Sequence, residues 1–188
     1  MSNISRSTSK LFVVAGNASS GKDNIISAVR ELGAFHAQIV TKYTSRAATK
    51  EDGSELVCAK LVDERTNPEF KKFKEMLDSG KLDVITYKRN GNDYYINVDE
   101  IWDGMKNGKF QVISVTEAEA INQLKKRFGN AVVLLYVHSD SAITPKEFDL
   151  FVNNFDKFDH VLIYESKFED LYDQLFRLFR AYEKGLVK

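Results

Sequence analysis

Cysteine and proline are scarce: the 188 residues hold 1 Cys and 2 Pro. Cys58 by itself closes no internal disulfide, and no Cys/His cluster has zinc spacing, so neither kind of staple is available to the chain. An excess of one charge is missing as well. The 27 Lys+Arg balance the 27 Asp+Glu, whereas a nucleic-acid domain carries a basic surplus on one face. No apolar run approaches the ~18 residues of a membrane helix. The Ser/Asn-rich start, Met1 to Lys10, and the short apolar run after it, Leu11 to Ala15, do not make a signal-peptide core. What is present is ordinary: 43% hydrophobic and 29% charged residues, a composition that excludes global disorder. A chain this long buries roughly 70% of its unfolded surface, enough for an unaided core. These traits predict a single domain over residues 1–188, cytoplasmic, with neither nucleic acid nor membrane as partner.

Short β-branched or aliphatic runs alternate with longer segments of helical period. The runs are Leu11 to Ala15, Ala37 to Val40, Val84 to Tyr87, Gln111 to Val115, Ala131 to Val137 and Val161 to Tyr164. The helical segments are Asn24 to Leu32, Glu69 to Asp78, Asp99 to Lys106, Glu117 to Phe128, Lys146 to Phe155 and Phe168 to Lys184. Thr116 with Glu119 reads as a capping box, and Gly129 as the stop after Phe128. The last helix lines up Phe168, Leu171, Leu175, Leu178 and Tyr182 on one stripe. Such alternation, with nearly continuous apolar strands, predicts an α/β fold: a parallel sheet covered by helices on both faces. The stretch from Thr41 to Asp99 is less regular. Its polar run from Thr44 to Glu55, and the Asn90-Gly91-Asn92 turn between two strand-like runs, predict a small hairpin insert over about residues 41–98. The core would then take residues 10–40 and 99–188.

The first strand runs into Gly16-Asn17-Ala18-Ser19-Ser20-Gly21-Lys22-Asp23, which opens a helix at Asn24. This is G-x-x-x-x-G-K, the phosphate-binding loop, with Asp23 where Ser or Thr is usual. Its glycines let the backbone curl until successive N–H groups point at phosphate oxygens, and the helix adds its free donors and positive dipole end. Lys22 supplies an ammonium able to follow charge between the β and γ phosphates. Composition alone yields such a match in about one chain in twenty; the strand before it and the helix after it remove most accidents. Asp23 suits Mg²⁺ as a carboxylate, and suits the first helical turn equally well as an acid on the dipole.

The loop, followed by Tyr43-Thr44-Ser45-Arg46, Asp52-Gly53, Tyr94-Tyr95 and Leu124-Lys125-Lys126-Arg127-Phe128-Gly129-Asn130-Ala131-Val132, resembles the guanylate kinases in order over nearly the whole chain. That resemblance implies a P-loop kinase core with an acceptor-binding insert and a lid. It implies ATP and Mg²⁺ as cofactors and transfer of the γ-phosphoryl to a small-molecule acceptor, GMP in that family. Lys22 and Arg46 would then be catalytic, and Arg46 and Tyr95 would bind the acceptor phosphate. Gly16, Asn17, Ala18, Ser19, Ser20, Gly21, Lys22, Asp23 and Asn24 would hold the nucleotide, with Asp23 toward the metal. Several family positions differ here. Thr49 replaces the second arginine of the family's T-T-R-x-P-R segment, although Lys50 lies beside it. Leu56 replaces the tyrosine after Asp-Gly, Tyr95-Ile96-Asn97 stands for Tyr-Gly-Thr, and Ser114 and Thr116 replace the aspartates that end a core strand. The lid segment, His138 to Asp159, is shortened and has no arginine. A phosphosugar kinase similar to the ribose bisphosphate kinases, whose loops also tend to carry Gly-Lys-Asp, and a binding module without turnover are the competing expectations.

Among the remaining candidates, Lys125, Lys126 and Arg127 read as a solvated helix end. His36, His138 and His160 have no metal or acid–base spacing. Cys58 reads as a small buried residue, and of Tyr94 and Tyr95 one is expected to face the cleft.

Overall fold

The computed structural model describes residues 9–16, 21–33, 37–139, 155–165 and 167–187, with the side chains of Lys22, Asp23 and Phe155 left aside. The helix expected over Lys146 to Phe155, the loop residues Asn17 to Ser20 and most of the shortened lid lie outside them.

The first strand, β1 (Leu11–Gly16), is buried at every position, as a parallel strand covered on both faces must be. Its alternating side chains feed two cores. Phe12 and Val14 join the cluster of Ile25, Ala28 and Val29 from α1 (Lys22–Glu31), whereas Leu11 and Val13 join the other cluster. Four more parallel strands flank it. They are β2 (Gln38–Ile39), β7 (Gln111–Ser114), β8 (Val132–His138) and β9 (His160–Ile163), in the order β2-β7-β1-β8-β9. The final helix, α5 (Phe168–Glu183), lays Leu171, Leu175, Phe179 and Tyr182 on the α1 side. Phe168 and Leu178, expected on the same stripe, only flank it. On the opposite face, α3 (Val98–Lys106) and α4 (Ala118–Phe128) bury Ile101, Met105, Ala120, Leu124 and Phe128. The expectation of a parallel sheet with helices on both faces holds.

The insert is larger than a hairpin. It is a four-stranded sheet, β4-β3-β6-β5, built from β3 (Lys42–Ala47), β4 (Leu56–Lys60), β5 (Val84–Arg89) and β6 (Asn92–Asn97). The expected turn is there. Arg89 pairs with Asn92, leaving Asn90 and Gly91 as a two-residue loop at φ 49° and 77°, the type I′ geometry that Asn-Gly favours. Strands β3 and β4 escape a reading of apolar pattern because Lys42, Thr44 and Arg46 occupy one face of β3. On that face Lys42 reaches the Ser114 carbonyl of the core, whereas Thr44 and Arg46 make their polar contacts within the insert, to Asp93, Tyr94, Ala47 and Asp52. The other face carries Tyr43, whose ring stacks 3.8 Å from that of Phe73 on α2 (Pro68–Asp78).

A second expectation is corrected at α4. Its N-cap is Glu117, with no side-chain cap bond, so the Thr116–Glu119 capping box does not form. The helix starts one residue later than the box requires. Glu117 turns its carboxylate to the Thr116 N–H at 3.3 Å and to Arg89 of β5 at 3.4 Å. Gly129 ends the helix at φ 54°, as expected.

Candidate functional site

Chain order places the site. From the central β1 the chain passes to β2 and β7 on one side before crossing to β8 and β9 on the other. Ligands of open α/β sheets bind at the carboxyl ends of the strands beside such a reversal. Gly16, the last residue of β1, and Gly21, the N-cap of α1, flank that point.

Gly21 sits at φ 84°, a left-handed conformation that costs any residue with a Cβ. A Cβ there would also lie 2.6 Å from the ring of Tyr164. Tyr164 follows β9, and its N–H donates to the His138 carbonyl at 2.8 Å, which fixes the ring over the start of α1. Gly21, the N-cap of α1, has no side chain with which to cap it, and the first-turn N–H groups of a helix have no intrahelical acceptor. The first helical bond runs from the Ile25 N–H to the Gly21 carbonyl at 3.1 Å. Backbone at Gly16, Gly21, Lys22, Asp23 and Asn24 thus converges at the end of the central strand, with Tyr164 beside it. Tyr164 was not a sequence candidate. It ends an apolar run, and only the strand order brings it to residue 21.

Arg46 lies in the insert, on β3. Its Nε donates to the Tyr94 hydroxyl at 3.1 Å, and Nη1 donates to the Ala47 carbonyl at 2.8 Å and to Asp52 Oδ2 at 2.9 Å. Nη2 donates to Asp52 Oδ1, completing a two-pronged pair. Asp52 also accepts the Thr49 N–H at 2.6 Å. The Arg46 guanidinium, with help from this N–H, holds the Asp52 carboxyl at about 2 against an ordinary 3.8, despite burial that pushes the other way. The same pairing raises the pKa of Arg46. Cys58, behind the pair, has its thiol pKa raised, chiefly by burial, which suits a packed residue better than a nucleophile.

The two tyrosines face opposite ways, as neighbours on a strand do. Tyr94 pairs in register with Thr44 and turns toward Arg46. Tyr95 pairs with Tyr43 and packs under α2, its ring 5.7 Å from that of Phe73 and below the Lys74 ammonium. The structure therefore brings Tyr94, rather than Tyr95, together with Arg46. Asp52 is the partner that pattern reading missed. It was legible as part of Asp-Gly, but not as the residue that takes up the guanidinium.

Ile85, Tyr87, Tyr94 and Ile96 of the insert sheet pack in one cluster with Leu11, Val13, Ile101 and Leu124 of the core, Arg30 of α1 pairs with Glu55 at 3.0 Å, and further polar contacts join the two parts. Lys42 Nζ donates to the Ser114 carbonyl at 2.8 Å, and Gln123 Nε2 to the Thr86 carbonyl at 3.2 Å. Arg127 pairs with Asp83, and Arg89 with Glu117. Among the described residues no group of three or more His, Cys, Asp or Glu is placed to hold a metal ion. Among the same residues no helix is long and apolar enough to cross a membrane.

No protein-family model matches the sequence, and no curated protein matches it. Solved structures do match. A guanylate kinase from Anaplasma phagocytophilum superposes with a TM-score of 0.63 at 13% identity, covering 93% of this chain and 86% of that one. A gluconokinase from Sinorhizobium meliloti 1021 matches at a TM-score of 0.40 and 11% identity, over 97% of each chain. The first match, together with a central strand that ends in Gly16 and a helix capped by Gly21, shows that this chain shares its α/β fold with that guanylate kinase.

Proposed function

We propose that the chain is an ATP-dependent phosphotransferase that passes the γ-phosphoryl group to a small-molecule phosphate acceptor, with a nucleoside monophosphate, GMP first, as the acceptor to test. The observation that carries this reading is the start of α1. It is led by a left-handed glycine, which has no side chain to cap it, and set after the central strand, in a sequence that spells G-x-x-x-x-G-K. Phosphate oxygens fit that cradle because they accept from backbone N–H groups and favour the positive helix end.

Magnesium suits the same place. It is commonly held by one or two carboxylates and by the phosphates themselves, not by a protein cage, so Asp23 would hold it without a larger cluster. When bound, the ion supplies charge neutralisation at the phosphates. Gly16 and Gly21 let the backbone bend around the polyphosphate, Lys22 would supply an ammonium for it, and Tyr164 packs against the turn. Phosphoryl transfer needs positioning and electrostatics more than covalent chemistry, which this set can provide. The acceptor end differs from the guanylate kinase pattern at Ser114 and Thr116, so a phosphosugar belongs in the acceptor panel. The test is ADP release with ATP·Mg²⁺ and a panel of nucleoside monophosphates and ribose phosphates. Turnover with one acceptor, lost in Lys22→Ala, is the expected result; no turnover across the panel rejects the kinase reading.

A second reading has its own observation. Arg46 spends four of its five N–H donors on Asp52, Tyr94 and Ala47, so it has no fork left for a phosphate. This favours a nucleotide-binding module without turnover. ATP would then raise the melting temperature without being consumed, and Lys22→Ala would weaken that shift.

A further inference from the structure

A cavity of about 480 Å³ opens at the amino end of the edge strand β2, between that strand, α3 and the turn before β5. Its size is within the usual range of small-molecule sites. Glu100, Asp103, Gly104 and Asn107 recur at i, i+3, i+4 and i+7, so one stripe of α3 and its C-cap makes a wall, and Gln38 makes another. Gln38 and Gln111 are the first residues of β2 and β7 and pair in register. Gln111 also pairs with Leu11 of β1, and Gly16 ends that strand five residues further on, so the phosphate cradle sits roughly 16 Å away, at the opposite ends of the strands. The cavity shares no lining residue with the cradle, with the group of Arg46, Asp52 and Tyr94, or with Ser114 and Thr116. The inference does not rest on the kinase reading.

Behind Gly104 stands Gln111 Oε1, the one buried side-chain polar atom among the described residues that lacks a hydrogen-bond partner. Gln111 is fully buried. Its Nε2 donates to the Lys109 and Phe110 carbonyls at 3.3 and 3.4 Å, so turning the amide over would set its oxygen against two others. Leaving such an acceptor unmet is costly and calls for a donor. Paired residues on neighbouring strands project from the same face of a sheet, so Gln111 points to the face on which Gln38 lines the cavity. A Cβ on Gly104 would lie 2.6 Å from Oε1, so only the missing side chain lets the amide stand at the wall. Asp99, Glu100 and Asp103 line the same cavity, with Lys81 as the one cation among the described lining residues. Lys106 reaches Asp103 at 3.5 Å, but that pair is exposed and of little worth. Glu100 accepts the Thr41 N–H, which holds its carboxylate in place. The carboxylates are spread along α3 and are not grouped as metal ligands, an arrangement that suits separate ammonium groups on one flexible chain. We propose that this cavity binds a small linear polyamine, whose ammonium groups pair with Glu100 and Asp103 while one N–H is donated to Gln111 Oε1.

The test titrates the full chain with spermidine by isothermal titration calorimetry, at low ionic strength because salt screens exposed charges. Saturable one-site binding is expected. Glu100→Gln combined with Asp103→Asn keeps the shape and removes the charge, and should weaken binding about tenfold or more. Glu169→Gln combined with Asp173→Asn makes the same charge change at exposed positions of α5 and should leave the affinity unchanged. Gln111→Met keeps an unbranched side chain of similar bulk and removes the unmet acceptor. It should weaken binding about tenfold, whereas a Gln111 that only packs would leave the affinity as it is. A cooperative thermal melt of each variant establishes that it is folded. Four results overturn the proposal. They are no saturable binding, binding indifferent to the α3 pair of substitutions, an equal loss from the α5 pair, and full affinity in a folded Gln111→Met. If Gln111→Met does not fold, the α3 pair and its α5 control decide.

Discussion

At the scale of single residues, the Arg46–Asp52 pair governs what the insert can do. Both side chains are mostly buried, 23% and 15% exposed, so removing one partner strands the other. Asp52→Asn should destabilise the chain by about 1–3 kcal/mol, measured by denaturant unfolding. Because the folded carboxyl sits at about 2 and the ordinary value is 3.8, the folded form binds its proton less readily than the unfolded one. The pair's stabilisation is therefore complete above the ordinary value and drains as pH falls toward 2. The native chain should lose stability through that window more steeply than Asp52→Asn, read from urea midpoints across pH. The same substitution frees the Arg46 fork. If Arg46 serves an acceptor phosphate, KM for the acceptor should fall in Asp52→Asn and rise in Arg46→Ala. Arg46 was legible as a candidate because a guanidinium in a Thr-Ser-Arg loop suits an anion. Its internal partner was not legible, since a six-residue separation does not say which way the chain turns back.

At the scale of elements, the helix starts show how local signals succeed or fail. Asn67 caps α2, accepting the Glu69 N–H at 3.0 Å, with Pro68 in the first turn. Asn67→Ala should cost about 1 kcal/mol. Thr116, whose sequence setting is the better capping box, caps nothing. Thr116→Ala should stay within about 0.5 kcal/mol of the parent in the same unfolding assay. The contrast has a tertiary origin. Glu117 is drawn to Arg89 on β5, across the boundary between the two sheets, and α4 starts where that contact allows. The Asn90-Gly91 turn needed no such help, because both residues tolerate positive φ and the hairpin closes over two positions. The edge strand β9 shows the reverse case. The Gln174 amide accepts the Ile163 N–H at 2.9 Å and donates to the Ile163 carbonyl at 2.7 Å, standing in for a missing strand. Nothing in the residues around Gln174 announces that role.

At the scale of the whole molecule, β1 joins the two cores, and its substitution should be felt by both. Phe12 is fully buried, with Phe179 at 4.7 Å, Tyr182 at 5.2 Å and Phe110 at 5.4 Å between ring centroids. Phe12→Ala should destabilise the chain by about 3–5 kcal/mol, measured as a shifted unfolding midpoint. It should also weaken any nucleotide-induced rise in melting temperature, since the same strand delivers Gly16 to the loop. Sequence by itself determined the elements and their rhythm. Runs such as Leu11 to Ala15 have apolar side chains on both faces, helices repeat every 3.6 residues, and glycines stand where the backbone must turn. Those are local demands, met within a few residues of chain. Tertiary structure alone decided that Tyr94 and not Tyr95 reaches Arg46, that Tyr164 rests on Gly21, and that Gln38 and Gln111 lie side by side. Each of these joins residues far apart in the chain, or depends on which strand face is inward. Side-chain pattern cannot supply either, because register and strand order are fixed by the packing of all elements together.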